Sequence, residues 1–319
     1  MIAPHATPKK RSRIEATAIP VPRAYAGPAT QHVLHEGDAR ELSWLPDESL
    51  HLVMTSPPYF NLKKYNDRNG QLGHINDYET FLDQLDQTWR HCYRALVPGG
   101  RLVINVGDVC VSRKSNGGRH HVIPLHADVS VRCRRIGFDY LTPILWHKIA
   151  NAAFEAKGNG AGFLGKPYEP NAIVKNDVEY ILMLRKHGKY RSPTEDQRAT
   201  SRLTKEEQSA WFRPIWEGLT GASTRAHPAP YPVELAYRLI RMFSFTGDTV
   251  LDPFSGTGTT SVAALRSDRN SIGNELDPAY MRIAEQRLRE QMEENGLLPS
   301  PPTLKIRRTA PCKRGQSDG

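Results

Sequence analysis

The 319-residue sequence has no run of 18 apolar residues, and it does not begin with a signal-peptide pattern. A helix that crosses a bilayer needs about 20 apolar residues, so the sequence predicts a soluble, intracellular protein without a membrane partner. The four cysteines lack metal-ligand spacing, so no metal site is expected. Such isolated cysteines favour free thiols in a reducing compartment.

Acidic residues nearly balance basic ones in the body of the chain, and the net charge of +9 comes mostly from its ends. Residues 1–30 and residues 302–319 each carry five Lys or Arg and one acid, a net charge of +4 each. Residues 31–301 hold 33 basic and 32 acidic residues. The ends are either solvated or weakly attracted to a polyanion, so the body would bind nucleic acid through local clusters.

Predicted strands alternate with predicted helices over residues 31–295, which indicates an α/β domain with a mainly parallel sheet. Residues 1–30 are rich in Pro, Ala and basic residues without periodicity, and we expect a disordered basic arm. Residues 296–319 are Pro-rich and basic, and we expect a disordered tail. Residues 150–228 are irregular and too long for an ordinary connection, so we expect an inserted module there.

A glycine-rich turn separates a short apolar strand from a helix near residue 256. Gly256 and Gly258 let a ligand approach bare backbone, and the helix that opens at Thr259 offers free N–H donors. Glu275 follows a second short strand, where an acid can accept hydrogen bonds from both hydroxyls of a ribose. The pattern predicts a nucleoside-cofactor half-site. Ser261 replaces the third glycine of the dinucleotide fingerprint, so the turn alone leaves the cofactor open.

A second peptide, Ser56-Pro57-Pro58-Tyr59, ends the apolar strand predicted at Leu50–Met54. Two prolines cannot continue a central strand, so the peptide must lie at the carboxyl end of its strand, where open α/β sheets place ligands. Alone, a proline-rich turn after a strand is an ordinary structural feature. Together with the glycine-rich turn of the same sheet, it predicts a single crevice formed by both peptides.

Four peptides resemble the motifs of the permuted β group of DNA amino-methyltransferases, which use S-adenosylmethionine (SAM) as methyl donor. They are Thr-Ser-Pro-Pro-Tyr at 55–59, His-Pro-Ala-Pro-Tyr-Pro at 227–232, Asp-Pro-Phe-Ser-Gly-Thr-Gly-Thr at 252–259 and Gly-Asn-Glu-Leu-Asp-Pro at 273–278. Weaker matches include Trp-His-Lys at 146–148 and Glu-Tyr-Ile-Leu at 179–182. The order of catalytic peptide, recognition region and cofactor peptide is that of the group.

The resemblance covers about residues 31–292, apart from most of 150–225. It implies a Rossmann-like SAM-dependent methyltransferase fold, with a mostly parallel twisted sheet and helices on both faces. Residues 31–295 would form the catalytic domain, and 150–228 would be an irregular inserted target-recognition region.

The resemblance implies that Ser56, Pro57, Pro58 and Tyr59 are catalytic. The Ser56 side chain and the Pro57 carbonyl would accept hydrogen bonds from an exocyclic amino group, which frees the nitrogen lone pair from the ring. The prolines fix φ and hold these acceptors rigidly. Tyr59 would stack on a base flipped out of the duplex. Transfer would be direct and in line, without a covalent enzyme intermediate, and the methylated nitrogen would lose its proton to water.

The same resemblance implies contacts to SAM. Asp252 would lie near the methionine end, Phe254 would pack on the adenine, and Glu275 would take the ribose hydroxyls. Asp38 would accept from the adenine amino group, or it is an ordinary turn residue. The peptide at 227–232 would wall the methionine moiety. The remaining implied cofactor-binding residues are Gly256, Gly258 and Thr259.

The substrate base is left open between two alternatives. Serine at position 56 is more typical of cytosine-N4 enzymes in the family, and aspartate of adenine-N6 enzymes, so we prefer cytosine N4 and keep adenine N6 as the alternative. Ring-carbon methylation needs a cysteine nucleophile beside a proline, and the pair Pro311-Cys312 lies in the tail, so we discard it. Less favoured hypotheses are a nicotinamide-dependent oxidoreductase and a non-catalytic DNA-binding protein.

Double-stranded DNA is the expected partner, with phosphate contacts from basic clusters on loops at the crevice side. Each cluster alone is more often a solvated surface. The candidates are Lys63, Lys64, Arg68, Arg113, Lys114, Arg119, Arg185 and Lys186. Base readout is expected within 150–228. Whether the protein is a monomer or a homodimer, and whether a cognate restriction endonuclease accompanies it, stays open. The expected location is the cytoplasm, in association with the nucleoid, for a protein encoded by a prokaryote or a phage.

Overall fold

The computed structural model of the chain describes the residues 29–60, 66, 70–111, 116–148, 163–164, 173–174, 176–222, 230–294 and 301–308. The predicted N-terminal arm, except its last two residues, and most of the insertion between 149 and 175 lie outside these ranges.

The described part of the chain contains 13 strands. They are β1 (Gln31–Glu36), β2 (Leu50–Thr55), β3 (Leu96–Val106), β4 (Val109–Val111), β5 (His121–Ile123), β6 (Phe138–His147), β7 (Phe163–Leu164), β8 (Ile173–Val174), β9 (Val178–Lys186), β10 (Ile215–Trp216), β11 (Thr249–Asp252), β12 (Asn270–Glu275) and β13 (Thr303–Arg308).

Its α-helices are α1 (Tyr78–Ala95), α2 (Leu125–Ile136), α3 (Glu195–Thr200), α4 (Lys205–Trp211), α5 (Val233–Phe243), α6 (Thr259–Leu265) and α7 (Pro278–Glu294). Helix α1 shows how sequence fixes a boundary: Asp77 accepts a 2.8 Å hydrogen bond from the backbone N–H of Thr80 and caps the helix. Among the helices of the described ranges, none has both the length and the apolar character to cross a bilayer.

Nine strands form one sheet in the order β10-β6-β9-β3-β2-β11-β12-β1-β13. Strand β9 pairs antiparallel with both of its neighbours, and every other pairing in this sheet is parallel. The expectation of a mostly parallel sheet is therefore confirmed. The carboxyl ends of β1, β2, β3, β11 and β12 share one edge, which we call the cleft edge.

Helices cover both faces of the sheet, as expected. Helices α1 and α2 bury Phe81, Leu85, Trp89 and Leu125 against one face. Helices α5, α6 and α7 pack on the opposite face, where the buried residues include Leu235, Leu239, Ala263, Met281 and Leu288. Burial of these apolar surfaces is the main source of stability, and it fixes the strand ends that build the site.

Two segments that were expected to lack regular secondary structure contain strands. Residues 107–121 are polar and were expected to form the loop that carries Arg113, Lys114 and Arg119, but they contain β4 and the start of β5, which pair as an antiparallel hairpin. The predicted disordered tail contains β13, which pairs in parallel with β1 over all six of its residues. Leu304 and Ile306 of β13 pack against the apolar cluster around α7, and this burial offsets the cost of ordering the strand.

Candidate active site

The two predicted peptides meet at the cleft edge, because β2 and β11 are parallel neighbours that pair Leu52 with Val250. Thr55 Oγ1 donates a 2.6 Å hydrogen bond to Asp252 Oδ1 across the two strand ends. Ser56 and Phe254 then line the same cavity. The expectation of one crevice formed by both peptides holds in the structure.

The cavity at this edge brings together residues from both peptides, from the turn after β1, from the segment before α1 and from the start of α7. Its lining residues are Gly37, Asp38, Ala39, Ser56, Pro57, Pro58, Gly70, Gln71, Leu72, Pro253, Phe254, Glu275, Leu276 and Tyr280. Six predicted site residues are among them: Asp38, Ser56, Pro57, Pro58, Phe254 and Glu275. The predicted residues Tyr59, Asp252, Gly256, Gly258 and Thr259 are not among the lining residues.

The glycine-rich turn is held tightly beneath the cavity. Gly258 has φ +78°, and a Cβ on it would lie 2.8 Å from the Cβ of Ala284 in α7, closer than side chains tolerate. The backbone N–H of Gly256 points to the Glu275 carboxylate and donates a 2.7 Å hydrogen bond to its Oε2. The side chain of Ser255 is buried, and its Oγ has no hydrogen-bond partner among the described residues.

Glu275 is the carboxylate best placed to receive hydroxyl donors. Its Oε1 accepts a 2.8 Å bond from the backbone N–H of Asp277, and its Oε2 accepts the bond from Gly256. Each oxygen therefore has a second lone pair to offer to a ligand. Burial raises the pKa of Glu275 to about 7, and the two backbone donors lower it only in part.

Asp252 connects three of the predicted motifs. Besides Thr55, its carboxylate accepts hydrogen bonds from Thr260 Oγ1 at 2.5 Å, from Tyr231 Oη at 2.9 Å and from the backbone N–H of Phe254 at 3.1 Å. The residue is only 1 % exposed. Burial raises the pKa of Asp252, although its hydrogen bonds favour the ionised form. The buried Asp252 carboxylate thus holds the two walls of the cleft together through hydrogen bonds. Its place near the methionine end of SAM stays a prediction.

Asp38 lies at the cavity and is clamped by Arg40. Arg40 Nε donates to Asp38 Oδ1 at 2.9 Å, and Nη2 donates to Oδ2 at 2.5 Å. Arg40 also donates to Gln84 Oε1 of α1 at 2.6 Å. The hydrogen bond to Asp38 raises the pKa of Arg40, so the guanidinium stays charged. Arg40 also donates from its backbone N–H to Asp38 Oδ1 at 2.9 Å and from Nε to Oδ2 at 3.1 Å, so the carboxyl group has a fixed direction. Its role as acceptor for the adenine amino group stays a prediction.

Tyr59 is buried beside Gly107, which follows β3. A Cβ on Gly107 would lie 3.4 Å from Tyr59 Cε1 and 3.3 Å from Glu179 Cγ. Glu179 in turn accepts hydrogen bonds from Lys148 Nζ at 2.5 Å and from Asn105 Nδ2 at 2.6 Å. Tyr59 and the polar cluster of Glu179, Lys148 and Asn105 therefore both lie close to Gly107.

The predicted DNA contacts are only partly described. Lys63, Lys64, Arg68, Arg113 and Lys114 lie outside the described residues. Arg119 is in the turn before β5, and its backbone N–H donates to Asn116 O. Its role in DNA contact stays a prediction.

The expectation that Arg185 and Lys186 lie on the crevice side is wrong. Strand β9 runs antiparallel to β3 and β6 and pairs Lys186 with Phe138, the first residue of β6, so its carboxyl end lies at the edge opposite the cleft. Arg185 Nη2 bonds Asp139 at 2.7 Å, and Lys186 Nζ donates to Leu96 O at 2.8 Å. These two side chains therefore contact neighbouring strands at the sheet edge opposite the cleft.

Several residues that shape the site were not predicted from the sequence. Arg40 and Thr260 received no role from the sequence, although the spacing Asp38-x-Arg40 was an available signal. Tyr231 belongs to the peptide expected to wall the methionine moiety, and its hydrogen bond to Asp252 was not expected. Leu276 and Tyr280 also line the cavity, directly after Glu275 in the chain.

Comparison with known proteins places the chain among DNA methylases. The N6/N4 DNA methylase family matches residues 50–286. The chain is 40 % identical to the Type II methyltransferase M.MjaI of Methanocaldococcus jannaschii, over 84 % of this chain and 94 % of that protein. It is 34 % identical to the Type II methyltransferase M.MthZI of Methanothermobacter thermautotrophicus, over 83 % of this chain and 78 % of that protein.

A solved structure shares the fold at high identity. The putative DNA modification methylase TTHA0409 from Thermus thermophilus, complexed with S-adenosyl-L-methionine, is 50 % identical and superposes with a TM-score of 0.71, covering 88 % of this chain and 99 % of that one. The cleft, the order of its peptides and these matches agree, and the chain belongs to the N6/N4 amino-methyltransferase family of DNA methylases.

Proposed function

We propose that this protein transfers the methyl group of SAM to the exocyclic amino group of a flipped base in duplex DNA, and that the base is cytosine, methylated at N4. The observation that carries the proposal is the shared cavity, where Ser56, Pro57 and Pro58 face Phe254 and Glu275. One wall offers acceptors for an amino group, and the other offers an aromatic ring and a carboxylate for a nucleoside.

SAM is the cofactor, as expected, and the residues present fit it. Phe254, Leu72 and Leu276 supply apolar surface for an adenine, and Glu275 supplies two acceptor oxygens for the ribose hydroxyls. Asp38 lines the same cavity in an orientation fixed by Arg40. The sulfonium of bound SAM supplies an electrophilic methyl group.

The chain's own residues prepare the amino nitrogen. The Ser56 hydroxyl and the Pro57 carbonyl would accept its two N–H groups and draw the nitrogen toward tetrahedral geometry, which restores its nucleophilic lone pair. Pro57 and Pro58 fix the backbone that carries these acceptors. Thr55, immediately before them, is tied to Asp252, so the acceptors are held relative to the glycine-rich turn. A carboxylate base is not required, because the cationic product nitrogen loses its proton to water.

Serine at position 56 supports cytosine over adenine. A neutral hydroxyl is a weaker acceptor than the aspartate typical of adenine-N6 enzymes, and either can satisfy an amino group. Adenine N6 is therefore the alternative outcome of the same experiment.

The test is methyl transfer from labelled SAM to long duplex DNA of varied sequence, followed by mass analysis of the nucleosides. We expect N4-methylcytosine, and we expect Ser56→Ala to lower the rate about 100-fold to 1,000-fold with SAM affinity retained, comparable to the loss of one oxyanion-hole donor. N6-methyladenine alone would correct the base. Absence of both products would refute the proposed function.

A further inference from the structure

Asn105, Lys148 and Glu179 form a polar cluster to which the methyl-transfer chemistry assigns no role. Glu179 is 8 % exposed, Asn105 is 1 % exposed, and the two hydrogen bonds on Glu179 come from the other members of the cluster. Burial of an ion pair costs desolvation and is weak evidence for a purely stabilising role. The cluster therefore calls for a functional explanation.

The strand register places this cluster beside the catalytic peptide. Strands β2 and β3 pair Thr55 with Ile104, so the next residues, Ser56 and Asn105, lie at the same level. Strands β6 and β9 pair Trp146 with Glu179, which brings Lys148 to the same end of the sheet. Tyr59 and Glu179 both border the space above Gly107. A base stacked on Tyr59 would lie within reach of the cluster.

Two groups in the cluster have unused hydrogen-bonding capacity within the described residues. The Oδ1 atom of Asn105 is buried and has no partner there. The Lys148 ammonium has three N–H donors, and its hydrogen bond in the described part of the chain goes to Glu179. The Lys148 side chain is 30 % exposed, so its remaining donors can reach a ligand that enters from outside.

Lys148 also sits where the insertion leaves the sheet. It follows β6 directly, its backbone N–H donates a 2.9 Å bond to Asp177 O, and β9 begins at the next residue, Val178. The ammonium therefore lies at the root of the segment expected to contact DNA.

We propose that Lys148 reads the ring edge of the flipped base beside its amino group, and that Glu179 holds the ammonium in position. The inference rests on the proposed function and deepens it. On its Watson–Crick edge, next to the amino group, cytosine presents two neighbouring acceptors, N3 and O2, whereas adenine presents one acceptor, N1, and then a C–H group. An ammonium with two available donors can hydrogen-bond to both acceptors of cytosine, whereas with adenine one donor stays unpaired.

The experiment compares Lys148→Gln with the charge-swapped pair Lys148→Glu/Glu179→Lys. The swap keeps an ion pair, and the free Oδ1 of Asn105 can accept from the new lysine. For each protein we would measure the thermal midpoint, SAM affinity by calorimetry, kcat/KM on long duplex DNA of varied sequence, and the ratio of N4-methylcytosine to N6-methyladenine. Lys305→Gln, an exposed lysine on the outer strand β13, is the matched control.

We expect Lys148→Gln to lower kcat/KM by roughly 10-fold to 100-fold, as expected for losing a two-acceptor contact to a base, with SAM affinity unchanged. The swapped pair should recover most of the thermal midpoint and stay as inactive as the single variant. Recovery of the wild-type rate by the swap would show that the ion pair is only structural and would overturn the proposal. An unchanged rate in Lys148→Gln would overturn it too. Failure of the wild-type protein to methylate DNA would instead refute the proposed function itself.

Discussion

Thr55 Oγ1 lies 2.6 Å from Asp252 Oδ1, although 197 residues separate the two in the chain. This hydrogen bond joins the strand that ends in the catalytic peptide to the strand that ends in the glycine-rich turn. The relative position of the two walls of the cleft thus depends on a hydrogen bond between two buried side chains.

Thr55→Val should remove this link while keeping the shape of the side chain. The buried Asp252 carboxylate would lose one of its donors, and we expect a loss of about 1–3 kcal/mol in the free energy of unfolding. Urea unfolding measures the stability. Thr142→Val, on the exposed side of β6, is the control and should change stability little. Equal stability of the Thr55 variant and the wild type would show that the link is dispensable.

Glu275 should make SAM affinity depend on pH. Its pKa is about 7 in the ligand-free protein, and only the ionised carboxylate can accept from both ribose hydroxyls. Binding therefore releases a proton at low pH, and affinity should fall by up to about tenfold per pH unit below pH 7. Calorimetric titrations between about pH 5.5 and 8.5 would show this slope. Glu275→Gln should bind more weakly and lose the slope; a slope that persists in this variant would exclude Glu275 as its source.

The raised pKa of Glu275 also makes the stability of the ligand-free protein depend on pH, but in the opposite direction to SAM affinity. The folded state holds the Glu275 proton more tightly than the unfolded chain, where the pKa is near 4.5, so this residue's contribution to stability should decrease as the pH rises from 4.5 to 7. Above pH 7 the contribution should be constant. The difference in urea midpoint between wild type and Glu275→Gln, followed across this window, isolates the effect.

Gly258→Ala should damage the glycine-rich turn by two separable effects. A Cβ at this position is strained by φ +78° and also approaches Ala284 Cβ at 2.8 Å. Gly247 has φ +79°, and a Cβ added there would meet no neighbour within 4 Å, so Gly247→Ala carries the backbone strain alone. We expect a loss of about 1 kcal/mol for Gly247→Ala and a larger loss for Gly258→Ala. Equal losses in urea unfolding would show that α7 moves away without cost.

Local sequence patterns predicted the regular elements well, because each carries its own periodic signal. Apolar or aromatic residues recur at helical spacing within Asp77–Leu96, among them Phe81, Leu85 and Trp89, which predicts a helix, and α1 covers Tyr78–Ala95. The direction of β9 has no such local signal, because it depends on the path of the insertion before it. That missing information placed Arg185 and Lys186 at the wrong edge of the sheet.

The sequence predicted which peptides line the cleft, but it did not predict the side-chain hydrogen bonds that hold those peptides together. Strand ends and prolines indicated that Ser56 and Glu275 share an edge, and both line the cavity. The bonds of Tyr231 and Thr55 to Asp252 join distant segments, and only the packed sheet brings these side chains together. In β13, the alternation of Leu304 and Ile306 was a usable strand signal that the basic, proline-rich composition concealed.

The parallel alignment of β13 with β1 has a practical consequence for making the protein. Gln31 pairs with Thr303 and Glu36 with Arg308, so β13 runs toward the cleft edge and ends next to the loop that carries Asp38. A tag fused directly after Arg308 would therefore begin at the cleft edge, beside the loop that carries Asp38. A tag fused directly before Gln31 would begin at the opposite edge of the sheet, so that position is the safer attachment point for activity assays and for immobilisation.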